Sequence, residues 1–239
     1  MSDNNEQSTP AAPAGLMPPM LGKPAWVRCI PFLVYLLFIV VVDLLGRLGF
    51  SDAELRWMYA VKIVAVIVTL VIFWRHYTEL HTWQVSPIWT AICVLVGILV
   101  FVVWINFSSG WLLIGSPTGF DPRTGGQINW PMVAVRIAGA ALVVPIMEEL
   151  FWRSFLLRWL DATDFQSLAP SAVRLQSVLI ASVLFGFEHN QWFAGILAGL
   201  AYSVVYMRQG SLWSAILAHG VTNGILGVWV VTASQWTYW

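Results

Sequence analysis

Long apolar runs almost free of charge are the feature of this 239-residue chain that most restricts its fold. A helix needs about 20 apolar residues to cross a bilayer. Seven candidate runs occur, at residues 30–45, 58–74, 88–105, 131 to about 151, 173–187, 192–206 and 212–231. The chain is 59% hydrophobic and only 10% charged, whereas soluble domains carry about 25% charged residues. We therefore predict an all-α fold, a polytopic transmembrane bundle of about seven to eight helices.

The remaining composition supports residence in a lipid bilayer. The formal net charge is zero, which gives no electrostatic reason to expect a nucleic acid partner. Tryptophan prefers the membrane interface, and several of the 15 tryptophans lie near the ends of apolar runs. Cys29 and Cys93 fit neither a disulfide framework nor a metal-ligand spacing, so we interpret them as buried thiols.

The chain divides into a tail and one membrane domain. Residues 1–24 are rich in Pro, Ala, Ser and Asn, which predicts a disordered N-terminal tail and no cleavable signal peptide. Residues 25–239 show no internal repeat and are predicted to form a single transmembrane helical domain. The longest connection in this domain, residues 106–130, contains the turn-forming residues Gly, Pro and Asp.

Basic residues orient the predicted spans. With a cytoplasmic N-terminus, seven basic residues fall on or near the inner side and three on the outer side, as the positive-inside rule expects. The fifth and sixth runs are short and only residues 188–191 separate them. We interpret them as a hairpin whose turn lies below the membrane surface, surrounded by protein. In this topology His189 lies at the outer end of its helix, whereas Glu148 and His219 lie nearer the inner side. A submerged turn would bring His189 inward, towards them.

Charged side chains inside the apolar runs are candidate functional groups, because an unpaired charge at membrane depth is costly. Asp43 and Lys62 lie at matching depths of the first two runs. We predict that they form a structural ion pair.

A second group, Glu148, Glu149 and Arg153, closes the fourth run. Glu149 and Arg153 are four residues apart and share a helix face, so they can pair. Glu148 lies about 100° around the helix from Glu149. It is left without a local partner and is free to face a cavity. Taken alone, the group could also be a charged helix end at the membrane boundary.

Two further polar groups follow in the last runs. His189 comes one turn after Phe185 at the end of an apolar run, beside Glu188, for which no spacing indicates a role. His219 and Asn223 are four residues apart and therefore lie on one helix face. A lone histidine at a helix end is usually structural, and a polar pair can be a helix–helix contact. The ordered set is more specific than any of its members.

These motifs together resemble the family of CAAX proteases and bacteriocin-processing proteins, which includes the Rce1-type CAAX prenyl endopeptidases and the Abi-type membrane proteins. Glu-Glu-x-x-x-Arg, Phe-x-x-x-His and His-x-x-x-Asn occur in the family's order within residues 130–231, the protease motif core. The whole chain is most similar to prokaryotic CAAX protease-related proteins found with exosortase systems, which implies the prokaryotic cytoplasmic membrane.

The resemblance implies an intramembrane catalytic cavity and endoproteolysis of a membrane-associated or lipidated protein. By position, it implies that Glu148 activates water with the help of His189, that His219 and Asn223 stabilise the oxyanion, and that Glu149 and Arg153 support them. Peptide hydrolysis needs such a base and such donors. A non-catalytic immunity or accessory protein on the same scaffold is the alternative. A transporter is a weaker one, because no repeat supports it.

Cofactor use stays open in the sequence. Glu148, His189 and His219 are the candidate ligands if zinc is bound. A His-Glu-x-x-His helix motif is missing from the sequence, and asparagine is a poor zinc ligand. We therefore favour a metal-free, glutamate-type reaction over a metalloendopeptidase. The oligomeric state and the identity of the substrate are not readable from the sequence.

Overall fold

The computed structural model describes residues 21–115 and 119–239, and this part of the chain contains seven helices longer than two turns. The predicted tail falls mostly on residues 1–20, which lie outside the described residues. The helices are α1 (Lys23–Arg47), α2 (Met58–Phe73), α3 (Pro87–Asn106), α4 (Trp130–Trp159), α5 (Leu175–Phe187), α6 (Trp192–Gln209) and α7 (Leu212–Thr232). One helical turn, Asp52–Leu55, precedes α2, and two short strands, Arg123–Thr124 and Gln127–Ile128, pair as an antiparallel hairpin between α3 and α4.

The predicted fold class, an all-α membrane bundle, is confirmed. Each of the seven apolar runs forms a helix, and five helical segments of the described chain are long and apolar enough to cross a membrane. The fourth run was predicted to end near Phe151, but α4 continues to Trp159. Helix α4 continues through Arg153 and Arg158 because both guanidinium groups find partners on the same helix. Arg153 pairs with Glu149, and Arg158 Nε donates to the Ser154 carbonyl at 2.8 Å.

Helix α7 lies between α3 and α4 at very short range. A Cβ atom on Gly97 of α3 would lie 2.5 Å from the Ala218 carbonyl oxygen, and one on Gly220 would lie 2.7 Å from the Ala141 oxygen of α4. Thr222 Oγ1 also donates to the Gly97 carbonyl at 2.9 Å. Small residues at such interfaces let helix backbones approach closely in membranes. The close approach holds α7 against both of its neighbours.

Two π-helical stretches interrupt α4, at Gly139–Val143 and Leu150–Leu156. They flank the α-helical segment Val144–Glu149, which carries both glutamates. Pro145 has no N–H to donate to the carbonyl four residues earlier, which is that of Ala141, the oxygen that Gly220 approaches. Widened turns of this kind are frequent at functional sites. The two glutamates therefore lie between two widened turns of one helix.

A buried ion pair joins the start of α1 to the rest of the bundle. Arg28 is 1% exposed, and its Nη2 lies 2.7 Å from Glu79 Oε2 in the connection between α2 and α3. Its Nε donates to Ser154 Oγ of α4 at 2.9 Å, and Ser154 also contacts the Glu79 carboxylate. The guanidinium, carboxylate and hydroxyl satisfy one another, so this charge is tolerated in the interior.

The predicted ion pair between Asp43 and Lys62 is wrong. Asp43 pairs with Arg47, one turn along the same helix, at 2.8 Å, and both side chains are exposed. The Lys62 ammonium instead lies 3.8 Å from the centroid of the Tyr35 ring and 5.1 Å from that of Tyr59. A basic residue four positions away on the same helix needs no interhelical alignment, and aromatic faces offer the lysine an alternative to a carboxylate. The two cysteines, Cys29 and Cys93, are buried free thiols as predicted.

Helices α5 and α6 form the expected hairpin. A Cβ atom on Gly195 of α6 would lie 2.8 Å from the Gly186 Cα of α5, so the two helices meet at their glycines. The turn between them is covered by residues 107–115. There the Ile114 N–H donates to the Asn190 carbonyl at 2.7 Å, and Asn190 Nδ2 donates back to the Ile114 carbonyl at 2.8 Å. The turn backbone is therefore satisfied by protein groups.

Candidate active site

A cavity of about 860 Å³ opens among α4, α7 and the α5–α6 turn. Glu148, His189, His219 and Asn223, the four residues predicted to be catalytic, all line it. Helix α5 has only 13 residues and is about 20 Å long, which is shorter than the roughly 30 Å hydrocarbon core of a bilayer. His189 follows the end of this short helix and lines the same cavity as the other three residues.

The two glutamates have different surroundings. Glu149 is fully buried, and its Oε1 accepts from Arg153 Nη1 at 2.9 Å, so the predicted pair is formed. Glu148 faces the cavity, and its Oε2 has no hydrogen-bond partner among the described residues. Glu149 and Arg153 lie behind the cavity wall, as supporting residues would. Among the described residues, the Oε2 atoms of both glutamates are buried without a partner, but Glu149 is held through Oε1 and only Glu148 lines the cavity.

His219 joins the two glutamates. Its Nδ1 lies 2.8 Å from Glu149 Oε1, and its Nε2 lies 3.9 Å from Glu148 Oε2. Since a carboxylate oxygen only accepts, Nδ1 is the donor to Glu149 and Nε2 is left facing Glu148 and the cavity. The imidazole stacks on the Tyr202 ring, with centroids 4.9 Å apart and planes at 16°. The ring orientation is therefore set from two sides.

Asn223 follows His219 by one turn on the same face of α7. Its Nδ2 donates to the Ala140 carbonyl at 2.9 Å, inside the first π-helical stretch of α4. An amide nitrogen carries two hydrogens, so the second one remains for a ligand in the cavity. This contact also joins α7 to the π-helical stretch at the level of the site.

His189 is oriented by its own helix. Its Nδ1 lies 2.8 Å from the Phe185 carbonyl oxygen. A carbonyl only accepts, so Nδ1 carries the hydrogen and Nε2 of the neutral ring has a free lone pair. The edge of the imidazole meets the Trp104 ring, with centroids 5.3 Å apart and planes at 88°. His189 is thus arranged to accept a proton or to orient a water molecule.

The cavity contains charged residues to which the sequence assigned no role. Glu188 lines it, and its Oε2 accepts from Trp152 Nε1 at 3.1 Å. Arg136 of α4, twelve residues before Glu148 in the sequence, lines the cavity as well. The position of Glu188 beside His189 and the presence of Arg136 inside an apolar run were the only signals for them in the sequence. Neither signal indicates which way the side chain points.

The candidate metal ligands are not arranged to hold an ion. Within residues 21–115 and 119–239, no three His, Cys, Asp or Glu side chains converge closely enough to do so. Glu148, His189 and His219 share the cavity but do not form a ligand set as they are placed. Zinc requires about four ligands at roughly 2.0–2.3 Å, so binding it here would require side-chain rearrangement.

Comparison with known proteins agrees with the motifs. Residues 130–225 match the model of the family described as Type II CAAX prenyl endopeptidase Rce1-like. No curated protein and no solved structure matches the chain. The matched segment contains all three motifs and every residue predicted for the site. Over residues 130–225, the match supports the family predicted from the motifs.

Proposed function

We propose that this integral membrane protein of the Rce1-like family hydrolyses a peptide bond in a membrane-associated or lipidated protein. The observation that carries the proposal is the Glu148 carboxylate, which faces the cavity without a hydrogen-bond partner among the described residues. His219 Nε2 lies 3.9 Å from it, and His189 and Asn223 line the same cavity. A base, an orienting imidazole and hydrogen-bond donors are the groups that amide hydrolysis needs.

In this reaction Glu148 takes a proton from a water molecule that His189 Nε2 helps to orient. The water oxygen forms a bond to the carbonyl carbon of the substrate. The negative charge that develops on the carbonyl oxygen is stabilised by the free Asn223 N–H and by His219 in its doubly protonated form, in which Nε2 donates to the oxyanion while Nδ1 donates to Glu149. The carbon–nitrogen bond then breaks, and Glu148 returns its proton to the leaving amine. No step requires a covalent bond between enzyme and substrate.

Glu149 and Arg153 act on this chemistry through His219. The Arg153 guanidinium pairs with Glu149, and the Glu149 carboxylate holds the imidazole through its Nδ1–H, so that Nε2 faces the cavity. Groups that orient a catalytic imidazole in this way affect the reaction without touching the substrate. We therefore assign both residues a positioning role.

A mass-spectrometric count of protein termini in membranes tests the proposal even while the substrate is unidentified. Cells expressing the wild type, Glu148→Gln or Glu54→Gln are compared at equal membrane abundance of the protein. Glu54 is an exposed glutamate of the Asp52–Leu55 turn and serves as the matched control. We expect new termini in membrane proteins with the wild type and Glu54→Gln, and their loss with Glu148→Gln. An unchanged set of termini with Glu148→Gln would contradict proteolysis by this site.

A non-catalytic immunity or accessory protein is the competing function. Such a protein needs the scaffold but not the unpartnered carboxylate, so Glu148→Gln would keep its full phenotype. The same variant also serves to capture substrates, because it removes the base and keeps the shape of the cavity. Proteins that co-purify with Glu148→Gln but not with a variant that also carries His219→Ala are the candidates for identification by mass spectrometry.

A further inference from the structure

Arg136 is a cation in the cavity wall that has no carboxylate partner among the described residues. It belongs to α4, and its guanidinium carbon lies 4.5 Å from the Phe120 ring centroid, 4.8 Å from that of Tyr59 and 5.5 Å from that of Trp239. No salt bridge or side-chain hydrogen bond from its guanidinium is formed within residues 21–115 and 119–239. The aromatic faces stabilise the charge, but they do not satisfy the five N–H donors.

Those donors have access to the cavity. Arg136 lines it, and none of its nitrogens is among the buried atoms that lack a partner. A second cation, the Lys62 ammonium, lies against Tyr35 and Tyr59, two rings that also line the cavity. Both cations come from apolar spans, where a charge without a role is costly. Two cations therefore lie in or beside this part of the cavity wall, and Glu148 and Glu188 line the same cavity.

The geometry along α4 relates Arg136 to the proposed cleavage site. Arg136, Ala140, Val144 and Glu148 follow one another at intervals of four residues and all line the cavity. The twelve residues from Arg136 to Glu148 correspond to at most about 18 Å of helix axis. An extended peptide rises about 3.3 Å per residue, so about five extended residues span this length of the helix.

We propose that Arg136, assisted by the field of Lys62, binds a carboxylate of the substrate chain about five residues from the scissile bond. The inference rests on the proposed function and names a feature of the substrate that the site would select. Arginine suits this task because its planar fork donates two parallel hydrogen bonds to a carboxylate. Neither residue belongs to the three motifs.

Peptide binding tests this proposal independently of cleavage. The probe is a fluorescent, N-palmitoylated apolar hexapeptide with either a free carboxylate or a carboxamide at its C-terminus. Its Kd is measured by anisotropy on Glu148→Gln protein in phosphatidylcholine nanodiscs, so that no turnover occurs. A charge-assisted pair of hydrogen bonds predicts that the carboxylate peptide binds about tenfold to a hundredfold more tightly.

Three further variants in the same background make the assignment specific. We expect Arg136→Gln to abolish the preference for the carboxylate and Arg136→Lys to retain part of it. Arg123→Gln should retain all of it, because Arg123 is paired with Asp121 and does not line the cavity. Equal binding of the two peptides to the parent protein, or a preference that survives Arg136→Gln, would overturn the proposal.

A lipid headgroup is the other source of an anion for this site. Repeating the measurement in nanodiscs that contain phosphatidylglycerol separates the two. If the preference for the carboxylate peptide persists in these discs, the result supports a substrate site. If the preference disappears, the lipid headgroup occupies the Arg136 site and the proposal is overturned. If the carboxylate preference holds while no termini depend on Glu148, the binding site stands and the proteolytic function fails.

Discussion

His219 Nδ1 donates to Glu149 Oε1 over 2.8 Å, across 70 residues of sequence, so the histidine is oriented by the glutamate that faces away from the cavity. The same Glu149 oxygen also accepts from Arg153 Nη1 at 2.9 Å. The adjacent glutamates therefore divide two tasks. Glu149 positions the imidazole, and Glu148 remains available to the cavity.

Glu149→Gln tests this division. The amide has one acceptor oxygen in place of two and can turn its nitrogen towards Nδ1, so it holds the imidazole less firmly than the carboxylate does. Loss of such an orienting partner typically costs about tenfold to a hundredfold in activity. We expect a loss of that size in the yield of Glu148-dependent termini, normalised to folded protein, and no loss for Glu54→Gln. Normal activity per folded molecule would show that Glu149 has only a structural role.

Gly220 and Gly224 provide a matched pair on α7. A Cβ atom on Gly220 would lie 2.7 Å from the Ala141 backbone oxygen, whereas one on Gly224 would lie at an ordinary 3.6 Å from the Ala141 Cβ. Backbone cannot move aside as a flexible side chain does, so we expect Gly220→Ala to destabilise the protein by about 1–3 kcal/mol.

Thermal unfolding in detergent measures both glycine variants. Gly224→Ala should stay close to the wild-type Tm and keep the Glu148-dependent termini. Gly220→Ala should lower the Tm and, by moving His219 relative to Glu148, also reduce the yield of termini per folded molecule. Equal Tm values for the two variants would contradict the close contact between α7 and α4.

Arg28 and Arg47 test the difference between buried and exposed pairs on α1. The side chain of Arg28 is 1% exposed and that of Arg47 is 75% exposed. Removal of one partner from a buried pair costs about 3–5 kcal/mol, whereas an exposed pair contributes about 0–1 kcal/mol. We expect Arg28→Leu to lower the Tm or the membrane abundance strongly and Arg47→Leu to change neither. A similar effect of both substitutions would contradict the buried network.

The lowered pKa of Asp161, which lies outside the membrane spans, predicts that the stability of the protein depends on pH. Burial raises the pKa of this carboxyl, but hydrogen bonds from the Ser177 hydroxyl and the Arg174 N–H, together with the Arg174 guanidinium, outweigh it and leave the pKa below its ordinary value. A lowered pKa stabilises the folded protein above the unfolded-state pKa of about 3.9. The contribution is lost as the pH falls through the folded-state pKa.

The comparison of wild type with Asp161→Asn measures this contribution. The Tm difference should be constant near neutral pH and shrink below about pH 4. The Asp161 carboxylate joins the end of α4 to the start of α5, with Arg174 N at 2.6 Å from Oδ2 and Ser177 Oγ at 2.6 Å from Oδ1. A Tm difference that is independent of pH would indicate that the carboxylate charge does not stabilise this junction.

Chelation tests the metal-free reaction. We expect the purified protein to keep full activity on a captured substrate after thorough treatment with a chelator, because Glu148 itself removes the proton from water. A loss of activity that added zinc restores would instead assign Glu148, His189 and His219 as metal ligands. The control is a chelator already saturated with zinc, which separates metal removal from inhibition by the chelator.

Local properties of the sequence determined much of this protein. The apolar runs predicted the helices, because spanning a bilayer depends on the length and composition of one segment. Four-residue spacing predicted that Glu149 pairs with Arg153, that His219 and Asn223 share a face, and that Glu148 has no local partner. Each of these relationships lies within one helix and follows from its period of 3.6 residues.

Only the tertiary structure decided which residues meet across helices. Lys62 meets Tyr35 rather than Asp43, Glu149 rather than Glu148 fixes His219, and Arg136 turns into the cavity. These outcomes depend on how far each helix is rotated about its axis. On α4 and α7, two π-helical stretches and close glycine contacts accompany this arrangement. Such packing joins residues that are remote in sequence, and no local spacing encodes it.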